Sequence, residues 1–216
     1  MNWHKSNRTT MTDISSPELP LFPLQSVLFP GGLLQLKVFE VRYLDLIGTC
    51  LRERRPFGVV SLLSGGEVRG GGSDAVQFEA IGTLAELLEV DSHQPGILQA
   101  RCRGTSRFKV IASRQQGDGL WLAQTEPVAD DPIEVPGDAL QGAVQGLAMA
   151  IESLAEQKVF PFLEPYRYDD ASWVANRWCE ILPLPESAKQ QLMQMPEPML
   201  RLELVDDFLR SKGVVA

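Results

Sequence analysis

From Leu19 onward the chain is dense in apolar residues interrupted by proline: Leu19-Pro20-Leu21-Phe22-Pro23-Leu24. Proline fixes φ and removes a backbone donor, so Pro20, Pro23 and Pro30 keep this stretch extended and bar a helix. Gly31-Gly32 predicts a turn. Beyond it, Leu34, Leu36 and Val38 alternate with Gln35 and Lys37, the period of a half-buried strand. The period then changes. Val41, Leu44, Ile47 and Leu51 recur at helical spacing and predict one amphipathic helix ending near Arg55-Pro56. Phe57–Leu63 is a continuous apolar run of strand length, and the Gly-rich stretch from Ser64 to Ala75 reads as a loop. Phe78–Val90 predicts a long strand or a bent pair broken at Gly82. Gln94-Pro95-Gly96 and Gln116–Gly119 are turns, separating strands expected at Ile97–Arg103, Arg107–Ala112 and Leu120–Val128.

The character of the chain changes at Asp130-Asp131-Pro132. Leu140, Val144, Leu147, Ile151 and Leu154 stand at helical spacing within Ala139–Gln157. Further helices are expected at Trp173–Leu182, Pro185–Met193 and Leu200–Leu209, with Asp169-Asp170 placed to cap the second of the four. The expected organisation is therefore a polar tail over residues 1–18, a β-rich unit with one early helix over 19–130, and a helical unit over 131–216.

Composition narrows the function. The 216 residues are 44% hydrophobic and 22% charged, enough to bury a core. Twenty Lys and Arg against 28 Asp and Glu give a net charge of −8, which disfavours nonspecific contact with phosphate backbones. Two small basic clusters, Arg52/Arg54/Arg55 and Arg101/Arg103/Arg107/Lys109, read as solvated faces. Cys50, Cys102 and Cys179 are odd in number, far apart and in apolar stretches. They suit buried reduced thiols in a cytoplasmic protein, with neither a disulfide framework nor structural zinc. Met1–Ser16 has no apolar core of a signal peptide, and no run of about 20 apolar residues predicts a membrane span.

Residues for catalysis are not assembled in any recognisable motif. The stretch Gly65–Gly72 lacks the Lys and following helix of a phosphate-binding loop. His4 and His93 are the two histidines, and Asp91-Ser92-His93 are neighbours in a turn, which cannot readily arrange a triad. The pairs Asp130-Asp131, Asp169-Asp170 and Asp206-Asp207 do not define a two-carboxylate cleft. No enzyme activity, cofactor or metal is expected.

Three motifs in order carry a resemblance. The first is the proline-broken run above, followed by Leu28-Phe29-Pro30-Gly31-Gly32 and Val38-Phe39-Glu40-Val41-Arg42-Tyr43. The second is Gly82-Thr83-Leu84-Ala85, followed by Gly104-Thr105-Ser106-Arg107-Phe108-Lys109-Val110. The third is Leu182-Pro183-Leu184-Pro185 with Lys189–Met193 and Arg201-Leu202. Across residues 19–211 the chain resembles the N-terminal, substrate-binding domain of Lon proteases. The resemblance implies an α+β fold: a PUA-like β pseudo-barrel with one early helix, then a C-terminal helical bundle. It also implies a polypeptide-binding module whose partners are unfolded or exposed polypeptide segments, or a protease or chaperone. The chain ends at Ala216 with neither a Walker motif nor room for a protease, so a freestanding, non-catalytic copy of the domain is expected. RNA binding is the alternative, since PUA-like barrels elsewhere bind RNA. The negative charge and the lack of an interleaved basic–aromatic stripe argue against it.

Within the matched residues, Pro20, Pro23, Phe29, Pro30 and Gly31 read as structural. Glu40, Arg42 and Tyr43 suggest an ion-pair cluster fixing the strand-to-helix corner, with direct partner contact as the other reading. Alternation puts Phe108 in the core and Arg107 outward or paired. Met193, Met195 and Met199 offer flexible thioethers suited either to core packing or to promiscuous apolar surfaces. The candidate partner-binding residues are thus Arg42, Tyr43, Arg107, Met193, Met195 and Met199.

Overall fold

The computed structural model describes residues 18–66 and 76–215; the polar tail, apart from Glu18, and residues 67–75 of the predicted Gly-rich loop lie outside the described residues. The proline-broken run forms β1 (Leu19–Leu24). After a turn come β2 (Leu33–Val38), α1 (Val41–Glu53) and β3 (Phe57–Ser64). Next are β4 (Gln77–Phe78), β5 (Ile81–Gln94), β6 (Ile97–Gln115) and β7 (Trp121–Pro127). Neighbouring strands run β1-β7-β6-β5-β3, and β3 pairs again with β1, in parallel, at Leu21↔Gly58 through Leu24↔Ser61. The sheet therefore closes on itself as a small barrel, which removes most free edges. β1 is buried on both faces. Leu21 packs with Val60, Phe108 and Ala123, while Phe22 and Leu24 pack with residues of α1.

β2 stands outside the ring and, among the described strands, pairs with β6 alone, antiparallel from Leu33↔Arg103 to Val38↔Leu98. Its start is set by local chemistry. Gly32 N–H donates to the Phe29 carbonyl at 3.0 Å across Pro30-Gly31, and Gly31 has φ +74°. Proline at the second turn position and a positive-φ glycine at the third are what a type II turn requires. Gly31 N–H donates to the Gly104 carbonyl at 2.8 Å and Gly104 N–H to the Gly32 carbonyl at 2.9 Å. Two residues thus oppose one, a bulge with glycine in the left-handed position.

Gly104 also explains why β6 is one strand of 19 residues and not the two expected. Glycine here does not break the strand; it admits a neighbour, because a Cβ would lie 2.3 Å from the Phe29 carbonyl oxygen. On either side of this point β6 exchanges its outer partner, β2 before it and β7 after it. Gly104→Ala must move backbone, so we expect a loss of about 1–3 kcal/mol, the usual range for overpacking. Urea unfolding of this variant beside Gly96→Ala measures it, although Gly96 at φ +77° meets nothing within 4 Å and reports conformational strain alone.

α1 buries a different stripe from the one the spacing predicts. Val41 and Leu51 are 73% and 57% exposed, and the inward residues are Tyr43, Leu46, Ile47 and Cys50. Both stripes have helical spacing. The Tyr43 ring stacking on Phe22, centroids 3.9 Å apart, decides between them. The helices α2 (Gln141–Glu156), α3 (Ala171–Ile181), α4 (Glu186–Gln194) and α5 (Pro198–Ser211) stand close to the expected positions. Asp170 caps α3 by accepting from the N–H groups of Ser172 and Trp173. Phe29, fully buried, enters the core of the helices beside Trp173, Trp178 and Leu202 and ties the turn before β2 to them.

Candidate functional site

A groove of about 280 Å³ runs along β2. It touches every residue from Leu34 to Glu40. Side chains alternate faces along a strand, so contact with successive residues means that the groove lies against the strand's edge. Phe22, Leu24 and Tyr43 also line it, and Phe39, 53% exposed, stands among its walls. A second groove of about 260 Å³ shares Ser26 and Leu34 with the first and continues past Val27, Phe162 and Ile181 toward Glu186 and Lys189 of α4. Both are lined by apolar side chains interspersed with polar and charged ones, Gln35, Lys37 and Glu40 in the first and Glu180, Glu186 and Lys189 in the second. Beyond Phe162 the sequence neighbours Val159 and Phe160 are 46% and 62% exposed.

The corner at one end is fixed by ionic and aromatic contacts. The Arg42 guanidinium pairs with Glu40 at 3.0 Å, donates to the Gly119 carbonyl at 2.7 Å and lies over the Tyr43 ring. At the other end Arg177 of α3, without exposed surface, grips the turn before β2. It donates to the carbonyls of Gly31 at 2.5 Å and Pro30 at 2.9 Å, and pairs with Glu180 at 2.9 Å. Glu180 in turn packs on Gly32, where a Cβ would meet its carboxylate oxygen at 2.3 Å. Burial pushes the Glu180 carboxyl up to about 7, against the lowering charges of Arg177 and Lys189. In the folded chain this carboxyl keeps its proton above the pH at which the unfolded chain has released it. Stability should therefore fall as pH rises from about 4.5 to about 7. Chemical denaturation across pH 4–8 should show this slope in the natural protein and not in Glu180→Gln; parallel curves would remove Glu180 as its source.

A buried polar cluster joins the barrel to the helices. The Asp131 carboxylate accepts from Arg107 at 2.5 Å, Arg201 at 2.7 Å and the Ser172 hydroxyl at 2.6 Å. Arg107 also donates to the carbonyls of Met193, Met195 and Ala129. Arg201 reaches the Met195 carbonyl and Asn176. Burial would raise the Asp131 carboxyl, but hydrogen bonds from Arg201 and Ser172 and the two guanidinium charges outweigh it and hold it below its ordinary value.

The structure places the candidate residues unevenly. Tyr43, 4% exposed, lines the first groove, and Arg42, 8% exposed, sits in the corner outside it. Arg107 is 2% exposed, the paired alternative of the two that alternation allowed. Met193 is buried with its sulfur 3.8 Å from the Thr83 hydroxyl, whereas Met195 and Met199 are half-buried. Arg42, Arg107 and Met193 are held in contacts within the fold, while Tyr43 lines the first groove. The cations 101–109 do not form one positive face. Arg101 pairs with Glu89 and Arg103 with Glu86 across the β5–β6 ladder, and Arg107 is interior. Burial pushes the Cys102 and Cys179 thiols up to about 12, so they are poor nucleophiles. Two features escaped the sequence reading. Arg177 carried no signal beyond its helical register, and the residues of β2 were legible as a strand but not as an open edge.

Residues 18–211 match the sequence profile of the ATP-dependent protease La (LON) substrate-binding domain. A Lon protease of Anaeromyxobacter dehalogenans is 28% identical over 204 residues, 90% of this chain and 23% of that protein. Protein cereblon of Xenopus tropicalis is 26% identical over 163 residues, 73% of this chain and 32% of that protein. This chain thus spans about a quarter to a third of these relatives. The crystal structure of a Lon N-terminal domain protein from Xanthomonas campestris superposes with a TM-score of 0.66 at 34% identity, covering 87% of this chain and 96% of that one. The N-terminal domain of a Mycobacterium avium complex Lon protease, at 16% identity and a TM-score of 0.60, shares the fold.

Proposed function

Because this chain belongs to the LON substrate-binding domain family, we propose that it binds exposed stretches of other polypeptides in the groove along β2, without catalysing a reaction itself. The observation that carries this reading is the groove: open to solvent, with Leu34, Leu36 and the half-exposed Phe39 set among Gln35, Lys37 and Glu40. Apolar surface left open on a soluble domain marks a place for a partner. Unfolded segments of client proteins are the partner, and the domain hands them to a protease or chaperone. Cytoplasmic residence suits the three buried, unpaired thiols. Arg101 and Arg103 are paired with glutamates, which counts against this cluster as a cationic track for RNA.

The test is titration of the protein into a labelled, permanently unfolded polypeptide and, in parallel, a labelled RNA, following anisotropy at low and moderate salt. Salt-tolerant binding to the polypeptide alone is expected. Phe39→Asp places a charge in the apolar wall and should weaken that binding about tenfold or more, the cost of setting an uncompensated charge against apolar surface. Steeply salt-dependent RNA binding with no polypeptide binding would overturn the reading.

A further inference from the structure

The open edge of β2 has a defined hydrogen-bonding phase. The bulge sets Gly104 opposite Gly32, with Gly104 N–H donating to the Gly32 carbonyl, and the register continues unshifted from Leu33↔Arg103 to Val38↔Leu98. In an antiparallel ladder alternate residues exchange both bonds with the partner strand, and those between direct N–H and C=O to the other side. Leu34, Leu36 and Val38 therefore bond to β6, while Gln35 and Lys37 turn their backbone groups away from it. No strand among the described residues pairs with that side of β2, and the first groove lies along it.

The chain itself shows that the edge accepts an extended segment. Just before β2, Gly32 forms an isolated antiparallel bridge with Phe162, in the stretch between α2 and α3. That stretch occupies the start of the edge, and no described residue bridges it further along, at Leu34–Val38. Resting on the proposed polypeptide binding, we infer that a client segment is captured as an added β-strand along Gln35–Lys37. Its backbone pairs with theirs, and alternate apolar side chains enter the groove beside Leu34, Leu36 and Phe39. An extended polypeptide is the ligand whose donors and acceptors repeat at the spacing of this edge, and main-chain pairing makes such capture tolerant of sequence. That tolerance is what a receptor for varied unfolded segments needs.

Two probes test the added strand. The first is a labelled ten-residue peptide alternating valine with lysine, compared with two versions N-methylated at alternate residues, one on the odd and one on the even positions. N-methylation removes donors along one edge of the peptide and leaves the other edge and all side chains. One methylated version should bind at least tenfold more weakly than the other. The second probe is Lys37→Pro, which removes an outward donor without touching the ladder to β6, beside Lys37→Ala. The proline variant should lose at least tenfold in affinity and the alanine variant little, with both circular dichroism spectra unchanged. If all three peptides bind alike, the added strand is overturned while polypeptide binding stands. If neither the unmodified peptide nor the permanently unfolded polypeptide binds, both readings fall together. Should Lys37→Pro disturb the fold, the peptide series alone decides.

Discussion

Asp131→Ala is expected to be the most damaging single change in the protein, costing about 3–5 kcal/mol, because removing one partner of a buried ion pair leaves uncompensated charge. Here a single carboxylate neutralises two guanidinium groups, on Arg107 and Arg201, each nearly without exposed surface. Their remaining bonds are to carbonyls and an amide, which accept hydrogen bonds without cancelling charge. The two arginines come from β6 and α5, so the loss falls on the attachment of helices to barrel. Chemical denaturation measures it, and Ser172→Ala provides scale, since it removes one neutral donor and should cost about 1 kcal/mol. The pH dependence has a fixed sign. Asp131 is held below its ordinary value of 3.8, so its contribution is present above that pH and is lost as pH falls through the lower folded value. Asp131→Ala should therefore flatten the acid limb of the stability curve. A variant as stable as the natural protein at pH 7 would show that the cluster contributes nothing net.

Arg177→Ala should come second, at about 3–4 kcal/mol. The change strips the Pro30 and Gly31 carbonyls of their donors and leaves the Glu180 carboxyl facing the turn without its cation. Each orphaned buried acceptor costs about 1–3 kcal/mol, offset in part because Glu180 can keep its proton. The functional consequence separates this site from Asp131. Arg177 holds the turn that sets the start and phase of β2, so the variant should lose polypeptide binding at denaturant concentrations where circular dichroism still reports a folded chain. Lys at 177 keeps the charge but not the planar fork that reaches two adjacent carbonyls, and should restore little. Full rescue by Arg177→Lys would show that charge alone matters there.

Both arginines bear on what could be read in advance. Arg107 was legible as outward or paired, since alternation in a strand leaves two choices. The choice was made by Asp131, 24 residues on, brought in by the chain leaving β7. The stripe on α1 was ambiguous for the same reason: two sets of apolar residues share helical spacing, and only the Phe22 ring shows which is inside. The two strands expected on either side of Gly104 are one, and the missing Cβ there lets Phe29 approach.

What the sequence determined by itself is what neighbouring residues control. Proline and glycine at 30–32 favour a turn through their own backbone preferences, Asp170 caps the helix that follows it, and apolar periods separate a strand-rich first part from a helical second part. The family resemblance, carried by those same local motifs, supplied the barrel. Tertiary structure decided the rest: that β3 closes on β1, that β6 serves β2 and β7 in turn, and that β2 has one side with which no described strand pairs. An open edge is a relation among strands distant in the chain, not a property of any residue on it. The strand that could receive a client segment therefore reads, in sequence, like any other.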